Sequence, residues 1–431
     1  MRGIQGLKVK CLLLVAVLLL SATAYALLQD PIPQDKLLAV ADELLQVVSR
    51  LRGLDVKAPI QKGVKTRDEI ASFINEQASS KYGKNELRNE GVLLGKLGLI
   101  PADLDYASFT LKLLNEQLGG YYDPEKKALY IAGWLPADQQ KPALVHELTH
   151  ALQDQHFDLE AMVKRDRSLK NSDAALAHMA IAEGDATAVM LDYLLQPAGR
   201  SFVQLPDLVF IMRTQLSLMN SQFEVLKSAP DYIKENLVFP YSYGASFLQK
   251  VRAHNDSWSA VDKIYADLPA STEQIIHPDK YLGERDRPKQ VTVEDPTPKL
   301  GKEWSITYRD VLGEFSLFLL IKTSSSEEQA VTAVYGWGGD QVILVEETGG
   351  KRDMAVFLDT VWDNQECADR FFGALSNWLL RRYPQARKVE ESQNAIALAS
   401  GGEYRSVRRK ATTVRLILGL PESQADKFSE R

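Results

Sequence analysis

His146-Glu147-Leu148-Thr149-His150 reads H-E-x-x-H, and it sits in a run with the pattern of one long helix. No Gly or Pro interrupts residues 143 to 159, and Leu144, Val145, Leu148, Ala151 and Leu152 recur at helical spacing, with Pro136 and Pro142 near the start. Four residues apart on a helix, two histidines lie about 40° out of line and about 6 Å apart along the axis. One zinc ion can bridge them. Glu147 projects beside that point without having to ligate, where it can take a proton from a zinc-bound water whose pKa has fallen to about 7. The competing reading is an amphipathic core helix with two incidental histidines. With six histidines in 431 residues, that register is a rare accident.

The first 26 residues have the layout of an export signal: Arg2, Lys8 and Lys10, an apolar run from Cys11 to Leu20, then Ala24 and Ala26 in small-x-small order. An uncleaved N-terminal membrane anchor is the alternative, but the apolar run is short for a span. The expectation is an exported chain, periplasmic or extracellular, with no stable membrane insertion after signal cleavage. Beyond Cys11 the only cysteine is Cys367, which excludes an internal disulfide in the mature chain. Stability must come from apolar burial, and a 45% hydrophobic chain can supply it. A net charge of −6 implies no basic face for nucleic acid. Oligomeric state is not legible.

Helical spacing predicts helices over 33–52, 67–80, 85–97 and 102–118, with a short strand at 58–64 between the first two. Gly119-Gly120-Tyr121-Tyr122-Asp123-Pro124, continuing to Ile131, reads as two short strands about an Asp-Pro turn. After the H-E-x-x-H helix come helices over 172–195, with Ser172 or Asp173 as N-cap, 207–227 and 243–255. Residues 286–299 are charged and proline-bearing and read as a linker. Beyond it, helices fit 310–322, 326–335 and 364–383, with strands at 341–347, 353–361, 394–399 and 403–418. The fold class is α+β. The expected organisation is a signal at 1–26, a mainly helical domain at 27–285 whose part 27–100 is helical, the linker at 286–299, and a smaller α+β accessory domain at 300–431.

A catalytic zinc takes three protein ligands and keeps one position open, so a further ligand is needed. His156 stands where the longer metzincin pattern places its third histidine, but Gln153 occupies the position of the glycine that turns the chain back. If the helix runs on, His156 lies about 240° round from His150 and about 9 Å further along. Glu183, in Ala182-Glu183-Gly184-Asp185-Ala186 on a separate helix, is the preferred candidate. Gly184 is unfavourable in a helix unless two backbones must approach there. Asp185 and Thr187 are candidate acceptors for the second N–H of a ligating imidazole. Tyr241 and His277, with Tyr243 third, are candidate donors to an oxyanion, each weighed against an ordinary packing or turn role. His178 and His254 read as a helix-face and a helix-end residue.

Taken together, Val145-His146-Glu147-Leu148-Thr149-His150-Ala151-Leu152-Gln153-Asp154-Gln155, Glu183-Gly184-Asp185-Ala186 and the Gly-Tyr-Tyr-Asp-Pro hairpin resemble the gluzincin class of zinc metallopeptidases, in particular bacterial exported peptidase-MA-like proteins. The resemblance covers about residues 100–285 and implies one Zn²⁺ on His146, His150 and Glu183, with Glu147 as general base. Gln153 departs from the metzincin branch. The expected function is zinc-dependent hydrolysis of a peptide or protein substrate, and strand 128–132 is compatible with pairing an extended peptide. The alternative is a non-catalytic exported binding or assembly protein on the same scaffold.

Overall fold

The computed structural model describes residues 30–73, 84–117, 119–219, 223–255, 257–348 and 353–428. The stretch expected to be an export signal, and the end of the helix expected over 67–80, lie outside them. Helix α1 (Gln34–Arg52) buries Leu37, Ala41, Leu44, Leu45 and Val48 on one stripe and ends at Gly53, whose left-handed φ of 74° lets its N–H return to Ser49 O. Strand β1 (Gln61–Lys65) follows, then α2 (Lys84–Lys96), α3 (Tyr106–Gln117), β2 (Gly120–Asp123) and β3 (Ala128–Ala132). The three strands form one sheet in the order β1-β3-β2, with β1 parallel and β2 antiparallel to β3.

The hairpin leads into α4 (Ala137–Phe157), which carries H-E-x-x-H, then α5 (Leu159–Ser168) and α6 (Ser172–Leu195). Helix α6 is buried on all sides because it is the hub of the molecule, and its polar side chains, Glu183 and Asp185 among them, are buried with it. It touches α1, α4, α5, α7's neighbour α8 (Asp231–Asn255, after α7 at Leu208–Met219), α9 (Trp258–Ala266) and α10 (Thr272–Ile276). Its N-cap is Asn171, whose Oδ1 accepts from Ala174 N, not Ser172 or Asp173. Ser172 is held by Asp310 instead, through both its N–H and its hydroxyl. Helix α8 starts at Asp231, twelve residues before the start expected at residue 243, and keeps Pro240 inside it.

The close contact of α6 and α8 depends on two glycines. A Cβ placed on Gly184 would lie 2.3 Å from the carbonyl carbon of Gly244, and one on Gly244 would lie 2.0 Å from Ala180 O. Both obstacles are backbone, so neither can swing aside. Gly184→Ala and Gly244→Ala are each expected to cost about 1–3 kcal/mol as the helices are forced apart. Gly373, in a later helix, meets nothing within 4 Å, and Gly373→Ala is expected to gain about 0.5–1 kcal/mol from propensity alone. Denaturant unfolding reads both signs; a neutral Gly244→Ala would mean that the two backbones do not meet there.

The C-terminal part is sheet-rich: β4 (Trp304–Asp310), α11 (Gly313–Lys322), α12 (Glu327–Val334), β5 (Trp337–Glu347), β6 (Met354–Trp362), α13 (Gln365–Arg382), β7 (Arg387–Glu391), β8 (Ala395–Ser400), β9 (Glu403–Lys410) and β10 (Thr413–Pro421). These strands make a seven-stranded antiparallel sheet in the order β4-β5-β6-β10-β9-β8-β7. Strands β4 and β7 were not anticipated, and the run 403–418 is two strands reversing at Ala411, whose φ is 52°. One face of the sheet, with Trp362 at the end of β6, packs against Phe371, Trp378 and Leu379 of α13. The fold is therefore α+β, with a helical N-terminal part and a sheet-rich C-terminal part.

Residues 286–299 connect the two parts, but they are not a free tether. Lys289 N–H donates to Gly338 O at 2.7 Å, Val293 N–H donates to Gln341 Oε1 at 2.9 Å, and the Val293 side chain is buried with Trp304, Ile343 and Phe357 on the other face of the sheet. Nor do the two parts keep separate cores. Phe239 of α8 meets Phe315 of α11 with ring centroids 4.3 Å apart, inside one cluster that runs from Leu87 to Leu418. Pro288 and Pro296 bound a stretch without regular structure, which ends in the four-residue helix Thr297–Leu300; the buried valine explains why the segment is nevertheless fixed. Among the described residues no helix is long and apolar enough to cross a membrane.

Candidate metal centre

Helix α4 runs without a break from Ala137 to Phe157, which puts His146 and His150 on one face one turn apart. Helix α6 crosses that face and presents Glu183. His146 Nε2 lies 3.1 Å from His150 Nε2 and 3.1 Å from Glu183 Oε2, and His150 Nε2 lies 3.4 Å from Glu183 Oε2. A tetrahedral zinc with bonds of about 2.0–2.1 Å holds its ligand atoms about 3.3 Å apart. The three donors thus already have the spacing and chemical identity of a His₂Glu set. They are 1–2% exposed, as is Glu147.

Glu147 is aimed by the hairpin. Its Oε2 accepts from Tyr122 N–H at 2.8 Å, and Tyr122 OH donates to Asp154 Oδ2 at 2.8 Å. Glu147 and Asp154 are two helical turns apart, so one tyrosine pins β2 along the same face of α4. Glu147 Oε1 is buried and has no hydrogen-bond partner among the described residues. Such an atom costs about 1–3 kcal/mol unless a proton, water or ligand meets it.

Charge balance inside this buried cluster is reached with protons. Burial works against a charged His150, but the Glu183 carboxylate outweighs it and lifts the imidazole to about 9. Burial alone would raise Glu183; the charge on His150 and the hydrogen bonds from both imidazoles hold it at about 2. Burial pushes Glu147 up to about 8 and lowers His146. Near neutral pH the metal-free cluster therefore holds two protons that its unfolded chain largely lacks, on His150 and Glu147. Above about 6.5, where His146 is neutral in both states, its contribution to stability falls as pH rises to about 9, because the native state is the one that binds the extra protons; below that, the burial that keeps His146 neutral works in the opposite direction. A divalent cation replaces that charge, so binding is expected to release about two protons and to strengthen with pH across the same window. Calorimetry in buffers of different ionisation enthalpy counts them; uptake without proton release would contradict these charge states.

The remaining candidates divide clearly. His156 faces away, its Nε2 2.8 Å from Asp55 O, because α4 does continue through Gln153. Asp185 does not reach an imidazole: it binds Arg52 Nε at 2.7 Å and accepts from Tyr265 OH at 2.9 Å, while Arg52 also binds Asp262 and lies over Trp258. Thr187 Oγ1 has no partner among the described residues. Tyr241 is buried beside the centre, its ring 6.1 Å from that of His146. Tyr243, two residues on, turns instead to Phe239 and Phe315. His277 is not brought to the centre; the α10–α11 contact holds its Nε2 3.0 Å from Glu314 and its ring against Tyr335. His178 pairs with Asp166. Strand β3 cannot pair an added peptide, since β1 and β2 take both its edges.

Gln153 is the residue that sequence reasoning undervalued. Read only as a missing glycine, it in fact places Oε1 2.8 Å from His150 Nδ1 and donates through Nε2 to Ala182 O at 3.0 Å. Its position three residues after His150, on the same helix face, was the available signal.

Comparison with known proteins touches only the C-terminal part of the chain. Residues 305–428 match a family described as a domain of unknown function, DUF8575. That match covers the seven-stranded sheet and leaves the His-His-Glu cluster outside it. No curated protein and no solved structure matches the chain.

Proposed function

We propose that this chain is an exported zinc-dependent hydrolase of the gluzincin kind that cleaves peptide bonds. The observation that carries the reading is the convergence of His146, His150 and Glu183 at 3.1–3.4 Å, with Glu147 held beside them by Tyr122. His146, His150 and Glu183 would hold the ion. A zinc there supplies a Lewis acid that polarises a carbonyl and lets water lose a proton near neutral pH. Glu147 receives that proton, and its unpartnered Oε1 is the atom free to do so. Tyr241, beside His146, is the phenol placed to donate to negative charge developing on the substrate carbonyl. The export assignment rests on residues 1–26 and places the activity in the periplasm or outside the cell.

A second reading is favoured by one observation, the 1–2% exposure of all four side chains. In it the metal staples α4 to α6 in a binding or assembly scaffold without turnover. Cleavage of a mixed peptide library by full-length protein, before and after chelation and after zinc is restored, separates the two. Cleavage that disappears with chelation and returns with zinc supports hydrolysis; one tightly held zinc with no cleavage supports the scaffold.

A further inference from the structure

We propose that Gln153 is a positioning residue that sets both the donor face of His150 and the register of the Glu183 helix. The proposal rests on the metal reading above and adds the device that assembles it. The orientation of the amide is fixed by chemistry. Ala182 O can only accept, so the atom 3.0 Å from it must be the amide nitrogen, and the oxygen must therefore face His150. An amide oxygen can also only accept. His150 Nδ1, at 2.8 Å, consequently carries a proton, which commits the ring to meet His146 and Glu183 through Nε2.

The same side chain reaches the backbone one residue before Glu183. Gln153 is fully buried and lies between α4 and α6, so it ties the second ligand and the third to one rigid group. Both of its polar ends are used in one direction each. A carboxylate could serve His150 but could not donate to Ala182; an apolar residue could do neither.

Zinc affinity, measured by competition with a chromogenic chelator on the full chain, tests this without any assay of turnover. The control is Gln140, on the same helix, which is equally buried and also bridges two segments, accepting from Ile32 N–H and donating to Ala132 O, but away from the cluster. Gln153→Leu and Gln140→Leu should both lower the unfolding midpoint of the metal-free protein. Only Gln153→Leu should weaken zinc, by about 10–100-fold. Unchanged zinc affinity in Gln153→Leu, or an equal loss in both variants, overturns the proposal. If the leucine variant does not fold, Gln153→Glu keeps the acceptor for His150 but loses the donor to Ala182 O, and is expected to weaken zinc measurably yet by less than about tenfold; no loss overturns the register role, and a loss beyond about tenfold overturns the tautomer role. A wild-type chain that binds no zinc removes the metal centre itself, a different failure from loss of the Gln153 effect.

Discussion

Glu183→Ala is expected to take the chain from one zinc per molecule to none retained through dialysis. The reason is geometric first. Two imidazoles on one helix supply only one edge of the donor triangle; the carboxylate from α6 supplies the other two, at 3.1 and 3.4 Å. It is also the charge partner of a buried cation, since Glu183 is held ionised at about 2 while it lifts His150 to about 9. Removing it leaves two neutral rings and no anion, so the loss should exceed the about 10–100-fold that follows removal of a supporting group. A zinc-dependent rise in unfolding temperature, equivalent to about 4 kcal/mol at a thousandfold excess over Kd, should vanish with it. His156→Ala is the matched control and should keep its zinc, because that ring is occupied with Asp55 O. Full zinc content in Glu183→Ala would reject the assignment.

How far the sequence could be read depended on whether local or distant residues decided each element. Helix α6 was legible over its whole length because its apolar residues leave no other structure open, yet its cap was misplaced: Asp310, far along the chain, occupies Ser172 and leaves Asn171 to cap. Pro142 was placed near a helix start and the helix expected over 243–255 began only after Pro240, yet each proline lies inside a helix. A proline costs about 3 kcal/mol in a helix interior, which burial of Tyr232, Val238, Phe239 and Phe247 along α8 offsets. That compensation is tertiary and invisible to a window of sequence.

The site shows the same division. His146, Glu147 and His150 follow from a five-residue register, and Gly184 pointed correctly to a close approach of helices, although its partner, Gly244, was not foreseen. Asp185 and Thr187 were both candidates to support an imidazole; Asp185, two residues from Glu183 on a regular helix, faces Arg52 instead. Gln153 takes that supporting role because it shares a helix face with His150. His277 was chosen for its chemistry alone, and Glu314 claims it.

Glu147→Gln is expected to lower peptide cleavage by about 10²–10⁴-fold while zinc stays at one per chain. The substitution is nearly isosteric, and its amide oxygen can still accept from Tyr122 N–H, so the hairpin should remain in place along α4. What is lost is the lone pair that takes a proton, since an amide nitrogen has none to offer. The pH profile sharpens the test. In the metal-free centre burial pushes Glu147 up to about 8; a divalent cation beside it favours the ionised form and draws that value down. Wild-type activity should therefore rise with pH as Glu147 ionises, over a range below about 8, and the residual activity of the variant should lack that rise. Equal cleavage by the two proteins, or a shared pH profile, would show that some other group accepts the proton and that Glu147 serves only to fasten β2 to the helix.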